Sequence, residues 1–156
     1  MKRLDVIRNS ALAAMMVAGA VSCSNKHDSF GNFQPLAEKG WAYGDTVSFI
    51  TADLDSTHTP RKLTIGVCHD NDYEFRNIIM EVTYEDASSR IHRDTVNMEL
   101  ADIYGAWLGN GLGPVYQAEA TVNPATDIAD SSSVTVRHVM RLDTLRGVRS
   151  IGIIVK

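Results

Sequence analysis

The chain has 156 residues, room for one ordinary domain and little else. Its 19 acidic residues outnumber 15 Lys and Arg, which argues against a nucleic-acid partner, because that needs a basic footprint. Two cysteines are too few for a disulfide framework.

The first nine residues carry Lys2, Arg3 and Arg8 against Asp5, and an apolar run follows from Ala11 to Val21. That run is well short of the roughly 20 residues that cross a bilayer. A basic start, a short apolar stretch and then small residues is the pattern of an export signal, read here as residues 1–22. The junction Ala20-Val21-Ser22-Cys23 resembles a lipobox, with Ala20 where Leu is usual. The resemblance implies a diacylglycerol on the Cys23 thiol and cleavage before it. Removing the signal takes away three bases and one acid, leaving 18 acids and 12 bases, a net charge of −6. Such a chain is not held to anionic lipid by its charge, so the acyl chains on Cys23 are the membrane attachment. Cys68 is then the one remaining thiol, and the fold has to stand on its hydrophobic core.

Residues 23–42 read as a lipidated tether, polar and without a clean period, with Phe30 and Phe33 as apolar exceptions able to dock. Residues 43–156 read as the domain. From Thr46 the pattern changes to short runs with a period near two, divided by turn residues. Thr46–Leu54 comes first, with Val47 and Phe49 on one face. Lys62–His69 alternates Leu63, Ile65 and Val67, and ends in the turn cluster His69-Asp70-Asn71-Asp72. Ile78, Met80, Val82 and Tyr84 share the face of a third strand. Ile91–Leu100 points Val96, Met98 and Leu100 inward. Val115–Val122 groups Tyr116, Ala118, Ala120 and Val122. Ser133–Leu142 groups Val134, Val136, His138 and Met140. Val148–Val155 is apolar enough to be covered on both faces. Ala101–Tyr104 and Thr144–Gly147 each have room for a single helical turn, and nothing longer after residue 22 has a helical period. The spacing predicts an all-β fold: an antiparallel β-sandwich of seven to eight strands, with jelly-roll-like and immunoglobulin-like wiring both open.

Three segments carry a family likeness. They are Tyr73-Glu74-Phe75-Arg76-Asn77-Ile78; Asp94-Thr95 leading to Leu100-Ala101-Asp102 and Gly105-Ala106-Trp107-Leu108-Gly109-Asn110-Gly111-Leu112-Gly113; and His138-Val139-Met140-Arg141 with Leu145-Arg146-Gly147-Val148 and Ile151-Gly152-Ile153. With the signal, they resemble the gliding-motility lipoprotein GldH family of Bacteroidetes. The resemblance implies a small, non-enzymatic lipoprotein associated with gliding and with the secretion machinery that gliding depends on. It implies a lipid-anchored place in the cell envelope and a protein complex as partner. Export to the surface resembles a rule of acidic residues after the Cys; Ser24-Asn25-Lys26-His27-Asp28 offers only Asp28, which points to a periplasm-facing position.

The glycines at 109, 111 and 113 are spaced by two and run into a strand. A phosphate loop needs a helix N-terminus behind it, so a turn with positive φ is the better reading. Asp70, Asp72 and Glu74 alternate as Ca²⁺ ligands do, but lack the Gly and Glu of an EF-hand loop and read as a solvated turn. No histidine pair has zinc spacing, and His138 reads as a hydrogen-bonded core residue. Cys68 reads as a small buried hydrophobe, with His69 on the opposite face of the strand. No cofactor motif and no catalytic constellation is visible. The candidate partner-binding residues are Tyr104, Trp107, Asn110 and Tyr116; the other reading of Trp107 is that it plugs the end of the sandwich. A surface glycan is the alternative partner, for which Trp41 and Trp107 are candidate platforms.

Overall fold

The computed structural model describes residues 30–51 and 61–156. The expected signal at 1–22 and Cys23 lie outside the described residues. Among those described there is no helix, and eleven strands are present: β1 (Phe30–Pro35), β2 (Trp41–Ala42), β3 (Val47–Ile50), β4 (Leu63–Asp70), β5 (Asn77–Glu85), β6 (Ile91–Glu99), β7 (Asn110–Leu112), β8 (Val115–Thr121), β9 (Ser133–His138), β10 (Thr144–Leu145) and β11 (Val148–Val155). They form a five-stranded sheet in the order β1-β11-β4-β8-β7, a four-stranded sheet β3-β9-β5-β6 and a two-stranded ribbon β10-β2. Every pairing is antiparallel.

The seven expected strands are all present, and the alternation that marked them is the core-facing alternation. On β5, Ile78, Met80, Val82 and Tyr84 are buried, with half-exposed residues between them. On β9, Val134, Val136 and His138 are buried in the same way. These face Leu63, Ile65 and Val67 of β4 and Ile151, Ile153 and Val155 of β11 across one hydrophobic core. The four further strands, β1, β2, β7 and β10, are too short or too polar to show a period.

The structure corrects the expected tether boundary at residue 42, because β1 and β2 within it belong to the folded domain. β1 pairs with β11 along its whole length, from Phe30 opposite Val155 to Pro35 opposite Ser150. The cause lies on the outer face. Phe33 stands opposite Gly152, which stands opposite Gly66. A Cβ on Gly66 would meet Phe33 Cζ at 2.5 Å, and one on Gly152 would meet Phe33 Cγ at 2.5 Å. The ring therefore lies across two adjacent strands where both lack side chains, an aromatic covering a glycine pair. From Ile151 to Val155, β11 is buried on both faces, with Gly152 beneath this ring. Thr144–Gly147, with room for a single helical turn, holds a strand instead: Thr144 and Leu145 form β10, pairing with Ala42 and Trp41.

The two large sheets share two ends. At one, called here the entry end, lie Phe30, the start of β4, the β5–β6 turn and the end of β11. At the far end lie the end of β4, residues 71–76, the loop 101–109, the β7–β8 turn and the β2–β10 ribbon.

Candidate functional site

The candidate residues gather at the far end, but not as one face. β4 ends His69-Asp70, and alternation turns His69 inward, fully buried. Tyr116 of β8 is its cross-strand neighbour, and the two rings stack at 5.6 Å between centroids. Trp107 meets His69 edge-on at 4.6 Å and lies 6.1 Å from Tyr116. Tyr73 closes the group at 5.7 Å from His69. Trp107 is half-buried, and its indole N–H donates to Asn71 Oδ1 at 3.0 Å. Trp107 and Tyr116 are thus brought together, with Trp107 packed against the core as an end plug.

Asn110 is not with them. It pairs with Gln117, so it points to the outer face of the five-stranded sheet beside Cys68, in a shallow hollow of about 310 Å³ with Gly111, Val115 and Gln117. Cys68 is half-buried there, its Sγ 3.7 Å from Gln117 Oε1, rather than in the core. Tyr104 stands apart again, 88% exposed on the turn 102–106. Parity with Leu63, Ile65 and Val67 puts His69 on the core face; what no local pattern shows is that loop 101–109 folds back over the end of β4 and makes this ring the centre of the cluster.

The glycine segment does what a turn needs. Gly113 has φ 70° and precedes Pro114, joining β7 to β8 through two residues, as a type II′ hairpin asks. Gly109 has φ 93°, and a Cβ there would run into the Gln117 carbonyl. The acidic run is also consumed locally. Asp70 pairs with Arg149, and its Oδ1 accepts the Asp72 N–H at 2.9 Å. Among the described residues no group of three or more His, Cys, Asp or Glu is placed to hold a metal ion.

Two buried histidines set an electrostatic property. His69 Nδ1–H donates to the Asp70 carbonyl at 3.2 Å, while Nε2 is buried without a partner. His138 Nε2–H donates to the Trp41 carbonyl at 3.1 Å, as expected of a core histidine, and its Nδ1 is unpartnered. Burial pushes both imidazoles below their ordinary value of 6.5, against the pull of those carbonyls. In the β5–β6 turn, Asp86 accepts N–H groups from Arg90 and Ser88 and a bond from His92, which hold its carboxyl well below the usual range. Both effects have the same sign. The fold favours neutral imidazole, so stability is complete above pH 6.5 and falls as pH drops below it; the Asp86 share goes below about pH 4. Thermal midpoints are expected to fall from pH 7.5 to 5.5, with a shallower fall in His69→Gln. A flat or rising midpoint over that range would show that the two rings are not buried neutral.

The family described as GldH lipoprotein matches residues 28–155. The chain belongs to the GldH lipoprotein family. Its relatives include a "Gliding motility lipoprotein GldH homolog" of Christiangramia forsetii, 24% identical over 140 residues and 84% of each chain. Another is the "Gliding motility lipoprotein GldH" of Flavobacterium johnsoniae, 22% identical over 153 residues and 94% of each chain. No solved structure matches. The matched span of this GldH family member takes in both sheets and the aromatic end.

Proposed function

We propose that this family member is a lipid-anchored, non-enzymatic accessory subunit that works by protein–protein contact at its far end. One observation carries the reading. Eight large hydrophobic residues are exposed among the described residues, and six of them, Tyr43, Ile103, Tyr104, Leu108, Val115 and Leu142, belong to the far end; Ile50 and Ile91 belong to the other. Scattered apolar exposure is ordinary, whereas its concentration at one end marks a contact surface.

Polarity of the chain supports it. Cys23, the proposed lipid site, precedes Phe30 by seven residues, a reach of at most about 25 Å. The entry end therefore faces the membrane and the far end faces away, in a periplasm-facing domain. A glycan platform is favoured less, because Trp41 is 1% exposed and Trp107 is half-buried.

The test is a pull-down from cross-linked envelopes with tagged full chain. Motility or secretion subunits are expected with Cys23 intact, and Cys23→Ser is expected to move most of the protein out of the membrane fraction. Recovery of polysaccharide alone would replace the reading with the glycan one.

A further inference from the structure

We propose that the turn Asp102–Ala106 is a preformed knob that seats Ile103 and Tyr104 in an apolar pocket, rimmed by basic side chains, on a protein partner. This rests on the protein-contact reading above and names the residues that make the contact.

The turn is fixed at its tip by four hydrogen bonds. Asp102 N–H donates to the Ala106 carbonyl at 2.9 Å, and Gly105 N–H to the Asp102 carbonyl at 3.2 Å. The Asp102 side chain accepts Tyr104 N–H at 2.8 Å and Ala106 N–H at 2.9 Å. Its stem is fixed as well. Ala101 bridges to Trp107, Leu108 N–H donates to the Leu100 carbonyl at 2.7 Å, and the Arg76 carbonyl takes the N–H groups of Leu100 and Ala101 at 2.7 and 2.9 Å. Trp107 then locks the stem onto His69 and Asn71.

What this rigid tip holds out is apolar. Ile103 is 73% exposed and Tyr104 is 88% exposed. Within the monomer the bonded loop gains nothing from either side chain. An anchor has the opposite requirement: large apolar area on backbone already ordered, so that little entropy is lost on binding, with tyrosine losing only two side-chain torsions. The surroundings give the partner's chemistry. Asp102, Glu99 just before the stem, and Asp72 and Glu74 on the segment beside Asn71 are acidic, against Arg76 and Arg146, whose neighbour Gly147 packs on that segment. An acidic collar fits a basic rim and speeds encounter with it. The same collar repels an anionic lipid surface, and the knob sits at the end opposite Phe30.

The experiment places a photo-crosslinking benzophenone amino acid at position 104 of the full chain in cells, with positions 93 and 133 as controls on the outer face of the other sheet. A protein adduct is expected from 104 and not from the controls. Ile103→Ser is expected to cut its yield about tenfold without moving the thermal midpoint. In isolated envelopes, the yield is expected to drop severalfold as salt rises from about 50 to 300 mM, across the range where screening becomes strong. Protein adducts from 93 or 133 with none from 104 overturn the knob and leave the protein-contact reading standing. No protein adduct from any position overturns both. Lipid adducts alone from 104 overturn the knob in favour of a membrane contact, and a salt-independent yield removes the basic rim.

Discussion

Gly147→Ala is expected to lower stability by about 3–5 kcal/mol, in the range reserved for changes that break a backbone packing. Two costs combine. Gly147 has φ 78°, a left-handed conformation that charges any residue with a Cβ about 1–2 kcal/mol. The larger cost is steric. A Cβ on Gly147 would meet Tyr73 Cα at 2.6 Å and the Asp72 carbonyl carbon at 2.7 Å. Both are backbone atoms, which cannot rotate away. The Gly147 carbonyl also accepts the Asp70 N–H at 2.9 Å, so pushing the chains apart breaks the tie between β11 and the end of β4. Gly105→Ala separates the two costs. Gly105 has φ 85° but open space around its missing Cβ, so only the conformational charge of about 1–2 kcal/mol applies. In thermal unfolding, Gly147→Ala is expected to lose more than about 10 °C and Gly105→Ala only a few degrees. Equal losses would mean that the strand end and Tyr73 move aside freely, and that the far end is looser than its hydrogen bonds indicate.

Where the sequence was legible, one simple rule made it so. The seven expected strands were readable because each turns apolar side chains into the core: six show it as alternation, and β11 as an apolar run covered on both faces. β1 was not, because its affinity for the sheet lies in a single ring. Phe33 needs Gly66 and Gly152 side by side, and those residues are 33 and 119 positions away in the chain; no local period encodes the match. The four candidate residues do not share one face, for a related reason. Tyr104, Trp107, Asn110 and Tyr116 are close in sequence, and closeness in sequence is a poor guide across a hairpin and a bonded turn. Trp107 and Tyr116 meet because His69 draws both onto the end of β4. Asn110 faces out because it pairs with Gln117 rather than Tyr116, and strand register reverses a side chain with a shift of one residue. Tyr104 stands alone on an exposed turn, away from the rings of Trp107 and Tyr116.

Trp41→Ala is the second large effect, and it separates the two tryptophans that composition treats alike. The Trp41 indole is buried, donates its N–H to the Asp45 carbonyl at 3.0 Å and meets the His138 ring edge-on at 5.2 Å. Its backbone pairs with Leu145 and its carbonyl accepts from His138; the substitution leaves these in place. What goes is the ring, and a large-to-small change of this kind in a packed core costs about 3–5 kcal/mol. A domain of this size has about 5–15 kcal/mol in all, so the variant is expected to unfold at a clearly lower denaturant midpoint. Trp41→Phe keeps most of the volume and leaves the Asp45 carbonyl without its donor, so about 1–2 kcal/mol is expected there. In both variants Trp107 is the single remaining tryptophan, and its fluorescence reports whether the far end opens with the core or before it. Because Trp41→Phe stays folded and leaves Ile103 and Tyr104 untouched, it is expected to capture envelope partners as the parent does. Stability unchanged in Trp41→Ala would place the indole at the surface and return it to the list of platforms for a sugar; loss of capture in a well-folded Trp41→Phe would move the contact from the knob to the β2–β10 ribbon.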